Sequence, residues 1–321
     1  SPVIPARGQT APVGRFGDAA DDPAIWIHPT DPARSRLLGT DKKWGLLSYD
    51  LAGHELQALG VGRLNNVDVR QQVRLGGQWV DLAVATHRDQ SALAIFEIDA
   101  DGVLHDKGRA PTGLGDLYGV CLYQPAGGGL EVFANDTDGR FVHMRIAADG
   151  DGYRAERLRA FAFDGQAEGC VVDDAQGRLF VAEEKAGLWV MSAAAASAAA
   201  PRLILPVAPG RLQADAEGLA LYPGAAGSYL VASSQGDSHY VVLDARPPYA
   251  YRGRFRIGIH PALGIDGTSD TDGLEVSSAN LGGVFERGLM VVQDGRKRLP
   301  DGAQNFKVVA WRDIARALAL P

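Results

Sequence analysis

A chain of 321 residues can bury a large core, and its 40 glycines and 17 prolines are spread along it, as turn punctuation between many short strands would be. With 39 acidic against 32 basic residues the net charge is −7, which excludes the basic surface of a nucleic-acid binder and suits cation binding. No apolar run reaches the length of a membrane span, so no membrane partner is expected.

The first distinctive stretch is Gly17–Pro29, where Asp18, Asp21 and Asp22 run directly into the apolar segment Ala24-Ile-Trp-Ile27. Acidic side chains at the mouth of a buried strand are costly unless a base or a hard cation neutralises them. Taken alone the cluster reads as a turn with solvated carboxylates. Its significance depends on repetition along the chain.

Six segments share one layout. A polar residue leads into a short strand, a Gly-rich turn follows, a second apolar strand ends in polar or charged residues, and a third strand returns. The units run from Asp22 to Tyr49, Asn66 to Ile98, Tyr118 to Ile146, Glu168 to Met191, Glu217 to Asp244 and Asp272 to Trp311. The leading positions 22, 66, 118, 168, 217 and 272 are spaced by 44, 52, 50, 49 and 55 residues, the period of a propeller blade. The pattern predicts an all-β, six-bladed β-propeller with four-stranded antiparallel blades, occupying residues 1–321 as one domain. Leu56–Leu59 and Arg157–Phe163 read as outermost strands. The last unit ends near Trp311, so its outer strand is expected from the N-terminal stretch Pro2–Pro12, which would remove an exposed edge.

Asp101-Gly102, Asp149-Gly150 and Asp151-Gly152 read as hairpin turns. Ala194–Ala200 reads as a loop or short helix, and Asp313–Leu320 as a C-terminal helix. Cys121 and Cys170 lie in apolar runs and read as buried thiols, with a disulfide between them as the alternative. The chain starts at Ser1 without Met, which fits a processed, secreted or periplasmic form.

In a propeller the first residues of the innermost strands form a ring at one end of the channel. That ring would be Asp22, Asn66, Tyr118, Glu168, Glu217 and Asp272, five of which offer an oxygen suited to a hard cation. The second strands end on the same face and add Asp41, Lys42, Lys43, His87, Arg88, Asp136, Glu183, Glu184, Gln235 and Asp294, with Asp21, Asp215 and Asp266 on loops. Any one of these is more often a solvated loop residue. Together, so many carboxylates would repel one another without several cations. Calcium is preferred to zinc because no paired His or Cys spacing is present. Lys42, Lys43 and Arg88 on the same face suggest a ligand that is itself multiply anionic, and phosphate fits both halves. No nucleophile elbow or cysteine phosphate loop is present, which leaves metal-activated water as the nucleophile of a phosphatase.

These residues carry a resemblance. Asp18-Ala-Ala-Asp-Asp-Pro-Ala-Ile-Trp26, Leu64-Asn-Asn-Val-Asp-Val-Arg70, Tyr118-Gly, Glu168-Gly, Val181-Ala-Glu-Glu184, Asp215-Ala-Glu-Gly-Leu219, Ser233-Ser-Gln-Gly236, Asp266-Gly-Thr-Ser-Asp-Thr-Asp-Gly273, Gln293-Asp-Gly295 and Gln304-Asn-Phe-Lys307 are similar to the motifs of the β-propeller phytases. Those are calcium-dependent phosphatases of inositol hexakisphosphate. The resemblance implies several calcium ions, held here by Asp21, Glu168, Glu184, Asp215, Glu217, Gln235 and Asp266, with Asp22 at a structural ion beneath. It implies that Lys42, Arg88 and Tyr118 contact the phosphate that is cleaved. Lys43 and Asp272 would lie around a second phosphate site. A calcium-bridged water or hydroxide would attack phosphorus in line, close to Asp266. Asp18 keeps the plainer role of shaping the turn. The chain departs from the pattern at Gln9, where the family has a calcium-binding Glu, and at Thr137, where it has a phosphate-binding Lys, with Arg140 the nearest substitute.

The expected enzyme is therefore a monomeric, calcium-dependent phosphoric monoester hydrolase of the 3-phytase type, acting on calcium phytate. Two other classes fit a six-bladed propeller: a lactonase or esterase with a single calcium, and a non-catalytic binding propeller stabilised by calcium. The first gives no reason for Lys42, Lys43 and Arg88 on one face; the second would show thermal stabilisation by calcium with no turnover of a phosphate ester.

Overall fold

The computed structural model describes residues 1–225 and 227–321. Among the described residues, twenty-five strands build six blades, with one α-helix beside them. Two short strands come first, β1 (Val3–Pro5) and β2 (Gly8–Gln9). Blade one is β3 (Ala20–Trp26), β4 (Arg36–Asp41), β5 (Gly45–Tyr49) and β6 (Glu55–Leu59); blade two is β7 (Leu64–Leu75), β8 (Gln78–His87), β9 (Ala92–Ile98) and β10 (Leu104–Pro111). Blade three is β11 (Leu117–Tyr123), β12 (Leu130–Asp136), β13 (Arg140–Asp149) and β14 (Gly152–Ala162); blade four is β15 (Ala167–Asp173), β16 (Arg178–Glu183), β17 (Gly187–Ser192) and β18 (Arg202–Pro206). Blade five is β19 (Ala216–Tyr222), β20 (Tyr229–Ser234), β21 (His239–Asp244) and β22 (Tyr251–Gly258). Blade six contains β23 (Leu274–Ser277), β24 (Leu289–Asp294) and β25 (Asn305–Ala310), followed by α1 (Trp311–Ala317). The innermost strands β3, β7, β11, β15, β19 and β23 each pack against the next, and β23 returns to β3, so the ring is closed.

Side-chain alternation explains why these strands read as nearly continuous apolar runs. On β8, Leu82 and Val84 face a core shared with Leu122 and Val132 of blade three. The intervening Ala83 and Ala85 face Trp26 and Leu38 of blade one. Each central strand is thus buried on both faces, by one neighbouring blade on each side.

The N-terminal segment serves two blades. Gly8 and Gln9 pair antiparallel with Val308 and Lys307, making β2 the outermost strand of blade six. Val3–Pro5 adds in parallel to Arg256–Gly258 as a fifth strand of blade five, a role the repeat pattern did not predict. Such a short edge strand has no repeat signature, and its position follows from where the β2 pairing leaves the chain. Helix α1 starts at Trp311, whose ring stacks on Tyr222 with centroids 3.7 Å apart.

Ala194–Ala200 is a loop with no helix. The Arg159 guanidinium donates to the carbonyls of Ser192 and Ser197, which ties the segment to blade three. The reading of two buried thiols is corrected. Cys121 and Cys170 form a disulfide with their Cα atoms 5.6 Å apart, joining β11 to β15. Their separation of 49 residues is one blade period, which puts them at facing positions on neighbouring inner strands.

Candidate active site

One device shapes the mouth of the channel. The pairing of each of the first five innermost strands with its neighbour slips at the leading residue, between Ala20 and Pro23, Leu64 and Val67, Leu117 and Val120, Ala167 and Cys170, and Ala216 and Leu219. A bulge re-aims the side chain beside it. Asp21, Asp22, Asn65, Asn66, Tyr118, Glu168 and Glu217 all lie within these bulges. The glycines that follow let adjacent strands close up. A Cβ on Gly119 would lie 1.9 Å from the carbonyl oxygen of Glu168, and one on Gly169 would lie 2.1 Å from that of Glu217. No side chain fits at either position.

Three carboxylates meet below this rim. One oxygen each from Glu168, Glu184 and Glu217 lies within 4.8 Å of the others, and all three residues are buried. Among the described residues, Glu184 Oε1 and Glu217 Oε2 have no hydrogen-bond partner. Burial and the nearby Asp21 push Glu168 up to about 8. Burial and Glu168 push Glu217 well above the carboxylate range, and burial with Asp215 raises Glu184. A buried carboxylate without a partner must bind a proton or a cation. An all-oxygen donor set suits a hard divalent cation such as calcium and offers zinc neither the nitrogen nor the sulfur it favours.

Around the triad the polar groups interlock. Lys42 Nζ lies 2.8 Å from Asp18, 2.9 Å from Asp21 and 3.1 Å from Asp272. Burial opposes its charge, but the carboxylates of Asp21 and Asp272 outweigh burial and hold the ammonium firmly protonated. Asp272 is pushed up to about 7 by burial and by Asp21, partly offset by Lys42. Gln235 donates to Asp272 at 2.6 Å. Asn65 donates to Asp21 at 2.9 Å and to Glu168 at 3.0 Å, and its own oxygen accepts from Arg88 at 3.2 Å. Arg88 also pairs with Asp116 at 2.8 Å and lies over the Tyr118 ring. Burial and Glu168 raise the Tyr118 phenol, so it stays a neutral O–H donor.

The structure therefore brings together Asp21, Lys42, Arg88, Tyr118, Glu168, Glu184, Glu217, Gln235 and Asp272. Four expected residues stand apart from that network. Asp22 is buried beneath it, accepting from the Val67 amide at 3.0 Å, with burial raising its carboxyl. Asp215 pairs with Lys185. Asp266 lies 3.0 Å from Lys307 and accepts from the Arg298 amide. Lys43 donates to the Phe16 carbonyl at 2.7 Å. Asp18 does more than shape the turn, since it is one of the three carboxylates on Lys42. Arg140 does not substitute for a lysine at position 137, because it turns to Asp136 and Asp138; Thr137 bonds Asp116, and Gln9 accepts from Asn305.

Three participants went unassigned in the sequence. Asn65 lies beside the leading residue and was overshadowed by Asn66. Asp116 precedes β11 and has no motif. Lys307 is fully buried, 2.6 Å from Asp294, and a lysine within the apolar strand Asn305–Ala310 was the available signal.

The comparisons with known proteins decide the family. The family model described as Phytase matches residues 2–320. The chain belongs to the phytase family. Among curated relatives, the 3-phytase of Bacillus subtilis (strain 168) is 35% identical over 328 residues, covering 98% of this chain and 85% of the relative. This phytase-family chain is accordingly a phosphoric monoester hydrolase of the phytase type, which sets aside the lactonase and non-catalytic readings. Among solved structures, the calcium-binding protein regucalcin from Agrobacterium tumefaciens aligns with a TM-score of 0.60 over 97% of both chains at 12% identity. A functionally unknown protein from Desulfotomaculum acetoxidans aligns with a TM-score of 0.51 over 72% of this chain and 70% of the other at 15% identity. At those identities the likeness concerns the fold alone. No helix among the described residues is long and apolar enough to cross a membrane.

Proposed function

We propose that this enzyme hydrolyses the phosphomonoesters of inositol hexakisphosphate, taken as its calcium complex, to lower inositol phosphates and phosphate, and that it requires calcium. The observation that carries the reading is the buried triad Glu168, Glu184 and Glu217, with two carboxylate oxygens unpartnered, beside Lys42, Arg88 and Tyr118. These carboxylates, together with Asp21, Asp215, Gln235 and Asp266, would hold calcium, and Asp22 would hold a structural ion beneath. Bound there, calcium would neutralise carboxylates and phosphoryl oxygens alike and make water acidic enough for in-line attack on phosphorus.

The chain's own residues do the rest. Lys42 is shared among three carboxylates and presents a fixed positive charge to a phosphoryl group. Arg88 is oriented by Asp116 and Asn65, so its guanidinium is preorganised for phosphate oxygens. The neutral Tyr118 phenol donates a hydrogen bond, and Asp266 would act close to the attacking water. Lys43 and Asp272 border a second phosphate position.

The Cys121–Cys170 disulfide supports export to an oxidising compartment, secreted or periplasmic. The enzyme is taken to act as a monomer. The test is phosphate release from phytate. Activity should vanish in excess chelator and return with calcium. Equal release in chelator would contradict the calcium requirement.

A further inference from the structure

Two buried glutamines of blade six reach across the seam where the ring closes onto blade one. Gln293 is the penultimate residue of β24, and Gln304 immediately precedes β25. They open the motifs Gln293-Asp-Gly295 and Gln304-Asn-Phe-Lys307. Among the described residues their side chains bond backbone groups alone. Gln304 Oε1 accepts from the amides of Ala19 and Ala20, at 2.7 and 2.9 Å, and its Nε2 donates to the Gly295 carbonyl at 3.0 Å. Gln293 Nε2 donates to the Ala20 carbonyl at 3.1 Å, while its Oε1 accepts from the Asp272 amide at 3.0 Å.

These bonds fall where the strand ladder does not reach. Pairing of β3 with β4 slips between Ala20 and Pro23, and Asp272 stands before β23 begins at Leu274. Ala19 and Ala20 are fully buried, so their polar backbone groups need partners within the protein. A bulge aims the side chains beside it only as firmly as its backbone is held. Here the Ala20 peptide is gripped at its amide by one glutamine and at its carbonyl by the other. The second glutamine ties the same peptide to Asp272. The segment also meets Lys42, whose amide donates to the Ala19 carbonyl at 2.7 Å, and Gly273, whose amide donates to the Asp21 carbonyl at 3.1 Å. Asp21, Asp272 and Lys42, which meet through their side chains, are therefore also joined through one backbone frame.

We propose that Gln293 and Gln304 are positioning residues of the hydrolytic reaction: they fix the aim of Asp21 and Asp272, and through them the place of the Lys42 ammonium against the phosphoryl group. The proposal rests on the phosphate-ester reading above. A neutral amide suits the task at Gln293, because it accepts at one end and donates at the other; a carboxylate only accepts and an ammonium only donates. At Gln304 the oxygen does most of the holding, since two amides address it. A displacement of about 1 Å at a group that contacts the reacting centre costs on the order of a hundredfold in rate, so small relaxations of this frame are readable in kcat.

The test combines phosphate release from phytate at saturating calcium, measured at a temperature where circular dichroism shows each variant folded, with calcium calorimetry on the chelated proteins. Gln293→Met and Gln304→Met should each lower kcat by about tenfold or more and weaken calcium binding, because Asp21 loses its setting. Gln304→Glu keeps the accepting oxygen and should retain more activity than Gln304→Met. In the double variant Gln293→Met/Gln304→Met the losses should be less than additive, since both side chains act on the one Ala20 peptide. Gln293→Asn keeps the amide but withdraws it by one methylene, and it serves if Gln293→Met does not fold; it should show the same losses in smaller measure. A purely structural role would lower the melting temperature and leave the folded protein unimpaired. Values of kcat and calcium affinity within about twofold of wild type in every folded variant would overturn the proposal. The catalytic reading fails separately, by absence of phosphate release from phytate in the unaltered protein.

Discussion

At Glu168 burial and a like charge favour the neutral carboxylic acid, and the side chain is pushed up to about 8; at Asp272 the same causes push it up to about 7. Both values lie above those of the unfolded chain, so without metal the folded state holds the extra protons. Their stabilisation is therefore complete below about pH 4 and is lost as pH rises through 7 and 8. In chelator the melting temperature should fall on the order of 5 °C between pH 5 and pH 8, and added calcium should restore more at pH 8 than at pH 5. A calcium response larger at pH 5 would contradict proton–metal competition at these carboxylates. Asp266 has a different setting. Lys307 is 3.0 Å away, so the carboxylate is held in place by a buried ammonium. Asp266→Asn removes the charge while keeping the shape, and phosphate release should drop by about tenfold or more, with the protein still folded. Turnover at the parental rate would remove Asp266 from the reaction.

At the scale of elements, the site depends on how closely neighbouring inner strands approach. The glycines at 119 and 169 allow that approach, and the disulfide fixes it between β11, which carries Tyr118, and β15, which carries Glu168. Replacing both cysteines by serine should cost about 2–4 kcal/mol in denaturant unfolding, the usual value of such a cross-link. A loss below about 0.5 kcal/mol would mean that blade packing alone holds the two strands. The blade starts were legible in the sequence because one arrangement recurs: a polar leading residue, then Gly at 119, 169, 218 and 273, then an apolar strand. The bond between the cysteines was not, because thiols in apolar runs look alike whether paired or free. Only their separation by one blade period encoded the contact. Lys307 was hidden similarly, since a lysine in a strand reads as solvent-facing until Asp266 and Asp294 are placed beside it. The Lys42 triad with Asp18 was also hidden, because it spans residues 18 to 272 and no local spacing expresses it.

For the whole molecule, closure of the ring makes the cluster possible. Residues from all six blades converge at one mouth of the channel, with Asp272 contributed at the start of blade six, and no single blade could bury their charge. Interblade ties are themselves polar in places. Arg70 of β7 pairs with Asp174 just beyond β15 at 2.9 Å and donates to the Leu122 carbonyl of β11 at 2.8 Å, linking three blades. A cation at the mouth would add to these ties and stabilise the folded ring by mass action, in proportion to the logarithm of its concentration above the dissociation constant. The central claim is that the triad Glu168, Glu184 and Glu217 is a calcium site. The most direct measurement is a calcium titration of chelated protein, followed by calorimetry and melting temperature, for the wild type and for Glu217→Gln. The account predicts that calcium binds the wild type and raises its melting temperature, and that Glu217→Gln binds at least one ion fewer, or more weakly by tenfold or more, with a smaller rise. Equal stoichiometry, affinity and thermal response in the two proteins would contradict it.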